Sequence, residues 1–354
     1  VGRLREWLVE QGLAENTILI FMGDNGTSSG TGLTKEGFPT DGFNASMRGS
    51  KTWVYDGGHR NACFLHWPQG KLMGGRDVDP VTAHLDLMPS LIDLCELESP
   101  EVEFDGNSLA PLLQGEATDW PDRTLFVHQQ QVDDPVKYKD FAVMTDRWRL
   151  VYTGRWREPQ DELFDRQNDH EQRNDVADQH PDVVKSLRDA YEDWWADISP
   201  RFGEFCEIVM GADEKNPTAL TAHSWHGKEG IYSQNHVRPA VRDNGFWTVE
   251  VAEDGDYEFE LRRWPMEADT PICEGLPART GVPFVDDFPV GIPVAVNSAK
   301  IQVGDEVKEK PVDSGDKGVT FRLSLKAGST RVQTWFGDGS REPLGAYYVY
   351  VRRI

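Results

Sequence analysis

The sequence is short of cysteine, of basic charge and of long apolar runs, and each shortage removes a class of protein. Cys63, Cys95, Cys206 and Cys273 are the only cysteines, and no pair has the Cys-x-x-Cys separation of a zinc or redox site. They read as buried thiols first and as one disulfide second. Lys and Arg number 37 against 60 Asp and Glu, a net charge of −23. That balance argues against nucleic acid and anionic membranes as partners, because both need clustered cations. No apolar stretch reaches the roughly 18 to 20 residues that cross a bilayer, so no membrane span is expected. No charged-then-apolar leader is visible at Val1. Gly42 to Thr52 lacks the spacing of a phosphate loop, since Ser50 stands between Gly49 and Lys51.

What is present begins with Thr17-Ile-Leu-Ile-Phe-Met-Gly-Asp-Asn-Gly26, an apolar run ending in two hard-oxygen side chains. Such a run predicts a strand buried on both faces, as in a parallel sheet covered by helices. Asp24 and Asn25 would then lie beyond the strand's carboxyl end, where open α/β sheets bind ligands. A carboxylate beside an amide carbonyl suits Ca²⁺ or Mg²⁺. An Asx turn capping the strand is the plainer alternative. Leu4, Trp7 and Leu8 predict a leading helix stopped near Gly12, and Cys63 to Trp67 a second strand. Asp79-Pro80 predicts a helix start running through Leu87, Leu91 and Leu94, and Pro181 opens another whose aromatic stripe reads as core. The loop Thr27–Phe43 is long enough to be functional.

Further along stand Met47-Arg-Gly-Ser-Lys51 and Asp56-Gly-Gly-His-Arg60. Together with Asp24-Asn25-Gly26 these resemble the C-terminal half of the type I, formylglycine-dependent sulfatase family, in the alkaline phosphatase superfamily, and in particular a bacterial arylsulfatase-like enzyme. Ser50, Asp56 and His59 depart from the family's usual Gly, Glu and aliphatic residue. The resemblance runs on through Val81–Leu94, Phe104–Gly115, Ala142–Leu150, Glu162–Asp165 and Asn174, over about residues 1 to 200. It implies a divalent ion, Ca²⁺ with Mg²⁺ as the alternative, held in part by Asp24 and Asn25, with Lys51 as a catalytic cation on the sulfate oxygens. It also implies a formylglycine nucleophile made from a Cys/Ser-x-Pro-x-Arg motif. No such motif occurs in the chain. The nucleophile is therefore expected from an N-terminal half, and the 354 residues alone are expected to be inactive. The family resemblance implies a periplasmic or extracellular setting.

The expected fold is α/β: a sulfatase-type core over 1–118, a small antiparallel sheet with a helix over 119–200, and an all-β sandwich-like domain over 201–354. Period-two alternation in Trp247–Val251, Tyr257–Leu261 and Phe321–Leu325 carries the last assignment. Pro265 to Pro293 reads as a surface excursion. Between core and sandwich, His223, Trp225, His226, Gln234 and His236 form a polar, aromatic stretch suited to contacting a sugar or aryl group. A zinc site and a structured linker are the alternatives there. The expected substrate is a sulfated small molecule or glycan. A phosphonate or phosphate ester hydrolase and a non-catalytic carbohydrate-binding module remain as alternative functions.

Overall fold

Leu4, Trp7 and Leu8 recur at helical spacing in α1 (Gly2–Glu10), which ends as Gly12 enters positive φ. Only Leu8 is buried. In the computed structural model all residues are described other than 73, 116–119, 131–133, 156–157, 229, 284 and 340–341. The chain divides into two compact units, one from Val1–Gln130 and Val136–Pro200, the other chiefly from Arg201–Ile354.

In the first unit, β1 (Leu19–Met22) pairs antiparallel with β2 (Cys63–His66), Leu19 opposite His66 and Met22 opposite Cys63. This corrects the expected doubly buried strand of a parallel sheet. Among the described residues the ribbon has two strands, and Phe21 and Phe64 are more than half exposed. The apolar run carried no alternation from which a covered and an open face could be told apart. The loop returning to β2 contains the single turn α2 (Asp56–His59).

A 3₁₀ turn, His84–Asp86, leads into α3 (Leu87–Leu94). The helix starts later than Asp79-Pro80 suggests, because the Asp86 carboxylate accepts the Ala83 N–H at 2.8 Å and fixes the entry there. The short α4 (Ala110–Gln114) has Pro111 in its first turn and closes on left-handed Gly115.

Strands β3 (Leu125–His128), β4 (Phe141–Met144), β5 (Trp148–Thr153) and β6 (Gln160–Asp165) form an antiparallel sheet in sequence order. All four residues of β4 are buried because both faces of the sheet are covered. On one face Phe141, Val143, Leu150 and Leu163 meet Leu187 and Tyr191 of α5 (Pro181–Ile198), the rings of Phe141 and Tyr191 stacking at 4.0 Å. On the other, Ala142, Val151 and Phe164 meet Val54 and Tyr55, the residues that lead into α2.

The second unit is a sandwich. One sheet runs β13 (Val319–Leu325), β10 (Gly255–Arg262), β15 (Tyr348–Arg353), β8 (Thr218–Thr221). The other runs β12 (Glu306–Pro311), β11 (Ser298–Val303), β14 (Gly328–Gly337), β9 (Phe246–Val251), β7 (Ile208–Met210). Trp247, Val249, Tyr257, Phe259, Ile301, Phe321 and Val349 alternate inward into one core. The pairing is antiparallel except for β7 on β9. The Pro-rich excursion is tethered by Arg263, which is fully buried, donates to the carbonyls of Ile272, Glu274 and Ile292, and has its pKa pushed down to about 10 by burial. The four cysteines are unpaired, and Cys63, Cys95 and Cys206 are exposed, which corrects the expectation of buried thiols.

Candidate functional site

The segment after β1 and the segment around α2 are joined main chain to main chain. The Gly26 N–H donates to the Gly58 carbonyl at 3.0 Å, Thr27 N–H to Gly57 at 2.8 Å, and Lys51 N–H to Thr27 at 2.6 Å. Glycine is needed for this approach. A Cβ on Gly26 would meet the Gly57 oxygen at 2.2 Å, and one on Gly58 would meet the Trp53 oxygen at 2.2 Å. Asp24, Asn25 and Lys51, far apart in sequence, thus belong to one loop assembly. The Asn61 amide adds a hydrogen bond to the Asn25 carbonyl.

Asp24 and Lys51 are exposed, and neither side chain makes a hydrogen bond or ion pair among the described residues. Asn25 is half-buried. The Asp24 carboxylate and Asn25 amide oxygen are hard donors of the type Ca²⁺ takes, but they are two of the six to eight oxygens it requires. Among the described residues no group of three or more His, Cys, Asp or Glu converges as a metal site. The pair fits a metal as part of a larger ligand set.

Beneath α2 lies a buried ion network that the sequence did not announce. Asp56 is 1% exposed, its carboxylate accepting from Arg149 Nε of β5 at 3.1 Å and lying 3.8 Å from Arg60 and 4.0 Å from His59. Its N–H is taken by the Gln172 side chain at 2.8 Å. Burial pushes the His59 pKa down against the pull of Asp56. Burial likewise lowers that of Arg149, to which the positive neighbours Arg166 and Arg60 also contribute. A carboxylate at Asp56 is therefore a structural tie between the motif and the small sheet. Its departure from the family's Glu was the one available hint.

Beside the loop assembly opens a cleft of about 860 Å³, starting at Gly26–Ser28 and continuing along Phe43, Asn44, Arg60, Asn61, Arg166 and His170. Asp24, Asn25 and Lys51 adjoin it without lining it. Sequence reasoning passed over Arg60, Arg166 and His170 as site residues.

His223, Trp225, His226, Gln234 and His236 lie in the second unit. Trp225 is 9% exposed, its ring against Trp247 and Tyr347, so it serves the sandwich core. His226 packs on Phe205 and exchanges backbone hydrogen bonds with Phe246. Gln234 donates to the Tyr348 hydroxyl at 2.9 Å, and His236 lies against Tyr232 and Ser233. His223 is exposed.

Residues 49–195 match the C-terminal region of N-sulphoglucosamine sulphohydrolase. Steryl-sulfatase of Mus musculus is 36% identical over 153 residues, 43% of this chain and 24% of that protein. The uncharacterized sulfatase YdeN of Escherichia coli K12 is 26% identical over 235 residues, 58% of this chain and 40% of that protein. N-acetylgalactosamine-6-O-sulfatase of Bacteroides thetaiotaomicron is 29% identical over 204 residues, 54% and 39% respectively. Over these stretches the chain is similar to sulfatases, and residues 49–195 match the C-terminal region of that family. It spans between 24% and 40% of the length of these relatives.

Proposed function

We propose that the chain is the C-terminal part of a metal-dependent sulfatase that hydrolyses sulfate esters of a glycan or small aryl compound. The observation that supports this reading most is the main-chain pairing of Gly26 and Thr27 with Gly58, Gly57 and Lys51, which gathers two oxygen donors and one ammonium on neighbouring loops. Asp24 and Asn25 contribute ligands to Ca²⁺, with formylglycine and the remaining ligands coming from residues outside this chain. The metal supplies Lewis-acid stabilisation of charge on the sulfate oxygens. Lys51 adds a fixed cation to those oxygens where negative charge must be held during transfer. His223, His226, Gln234 and His236 are proposed as a substrate-contact set, with Trp225 left to the sandwich core behind them.

The test uses the enzyme that carries this chain. Asp24→Ala is expected to abolish calcium binding by calorimetry together with sulfate release. Lys51→Met keeps the aliphatic stem and is expected to cut kcat by about a hundredfold or more while KM changes little. Normal calcium affinity and turnover in both variants would refute the reading. Release of phosphate or phosphonate in place of sulfate would move the assignment to the alternative esterase.

A further inference from the structure

The cleft beside the loop assembly holds cationic groups in excess of their partners. Arg60 and Arg166 line the cleft, and the buried carboxylate of Asp56 beside Arg60 is already taken by Arg149 at 3.1 Å. Arg60 stands 3.8 Å from the same carboxylate with 42% of its side chain exposed. The Arg166 Nε is buried and finds no hydrogen-bond partner among the described residues. The carboxylate that lines the cleft, Asp41, is engaged by the Thr40 hydroxyl at 3.1 Å. In a chain of net charge −23, this is a local positive field. At the mouth, Phe43 is 94% exposed, an aromatic face open to solvent. Asn61 and His170 add further hydrogen-bonding groups along the same walls. An open ring, polar amides and forked cations together describe a sugar ring carrying an anionic substituent.

We infer that Arg60, Arg166 and His170 form a second anion subsite, next to but distinct from Asp24, Asn25 and Lys51, that binds a carboxylate or additional sulfate on the sugar whose ring rests on Phe43. The inference builds on the sulfatase reading and narrows its substrates to glycans with at least two anionic groups. The guanidiniums bind the group that is not cleaved. They therefore set which sugar is held and leave the transferred sulfate to the neighbouring loops.

Three disaccharide probes separate the possibilities by calorimetry on the 354-residue chain: one with a single sulfate, one with a sulfate and a uronate, one with two sulfates. The wild type is expected to bind at least one doubly charged probe about tenfold or more tighter than the singly charged one. Which of the two is preferred identifies the second group as carboxylate or sulfate. Arg60→Gln and Arg166→Gln are each expected to remove about tenfold of that preference, with the singly charged probe little changed. Arg60 is partly exposed, so its variant should fold normally; matching melting temperatures check this, and Arg60→Lys should restore part of the preference. Phe43→Ala should weaken all three probes alike. Equal weakening of singly and doubly charged probes by the arginine variants overturns the subsite, as does a wild type that binds none of them or shows no preference. Failure of the sulfatase reading looks different: the arginine-dependent preference persists, while the enzyme carrying this chain releases no sulfate from any probe.

Discussion

Asp86 shows how much a single carboxylate can do when it is placed under a turn. It is fully buried, takes the Ala83 and Asn107 N–H groups at 2.8 and 3.0 Å, and is gripped by both terminal nitrogens of Arg123. Burial works to raise its pKa, and the Arg123 fork with the two backbone donors overcomes this and holds it below the usual carboxylate range. A depressed native pKa stabilises the fold fully above the unfolded value of about 3.9, and that contribution drains away as pH falls through the native pKa. Asp86→Asn is therefore expected to cost about 3 kcal/mol at pH 7, the scale of breaking a buried pair. In urea titrations the gap between variant and wild type should narrow at pH 3. A gap independent of pH would assign the loss to packing. At this scale the meeting of the segments that carry Asp24, Asn25 and Lys51 was legible because they sit in short motifs of recognisable order. Arg149 and Arg166 were not, since Asp56 and the cleft are reached only through the register of β5 and β6.

Elements were legible where one face is buried and silent where it is not. Strands β10 and β13 alternate, and these two with β9, in which Thr248 is buried as well, lie where the pattern put them. Strand β12, reading Glu-Val-Lys-Glu-Lys-Pro, is exposed at five of six positions on a sheet edge and carries no periodic signal. For β1 the apolar content was clear but the partner and its direction were not. Turn α2 was invisible to periodicity altogether, being four residues held by two glycines in crowded backbone. A Cβ on Gly58 would meet the Trp53 and Ser50 oxygens at 2.2 and 2.6 Å, so the main chain itself must move. Gly58→Ala is expected to destabilise the first unit by about 2 kcal/mol or more, lowering its melting temperature by roughly 4 to 8 °C. Gly2→Ala, where the added carbon meets nothing within 4 Å, is the control and should be neutral. Equal melting temperatures for the two variants would contradict the crowding argument.

At the scale of the whole chain, the two units have separate apolar cores. The sandwich core is drawn from Met210 to Val351, and the clusters of the first unit are drawn from residues before Pro200. Each fully buried Leu, Val or Phe side chain contributes about 1.5 to 3 kcal/mol, so the sandwich has the means to fold by itself. Residues 201–354 expressed alone are expected to give a β-rich circular dichroism spectrum and one cooperative thermal transition. A gradual, non-cooperative melt would show that the sandwich depends on the preceding unit. The acidic surplus of the whole and the cationic surplus of one cleft coexist because the field that a ligand meets is local.

The pairing of Gly26 and Thr27 with Gly57, Gly58 and Lys51 is made by peptide groups alone. Scaffold and selector are therefore encoded largely by different atoms: the backbone fixes where the loops meet, helped by the Asn44 amide on the Thr27 hydroxyl at 2.9 Å, while Phe43, 94% exposed, is free of that duty. Substitution at Phe43 is expected to alter the ligand preference proposed for the cleft without loosening the joint. Saturation libraries at Phe43, Arg60 and His170 should accordingly return many folded members of altered selectivity, whereas libraries at Gly26, Gly57 and Gly58 should return almost none beyond the parent.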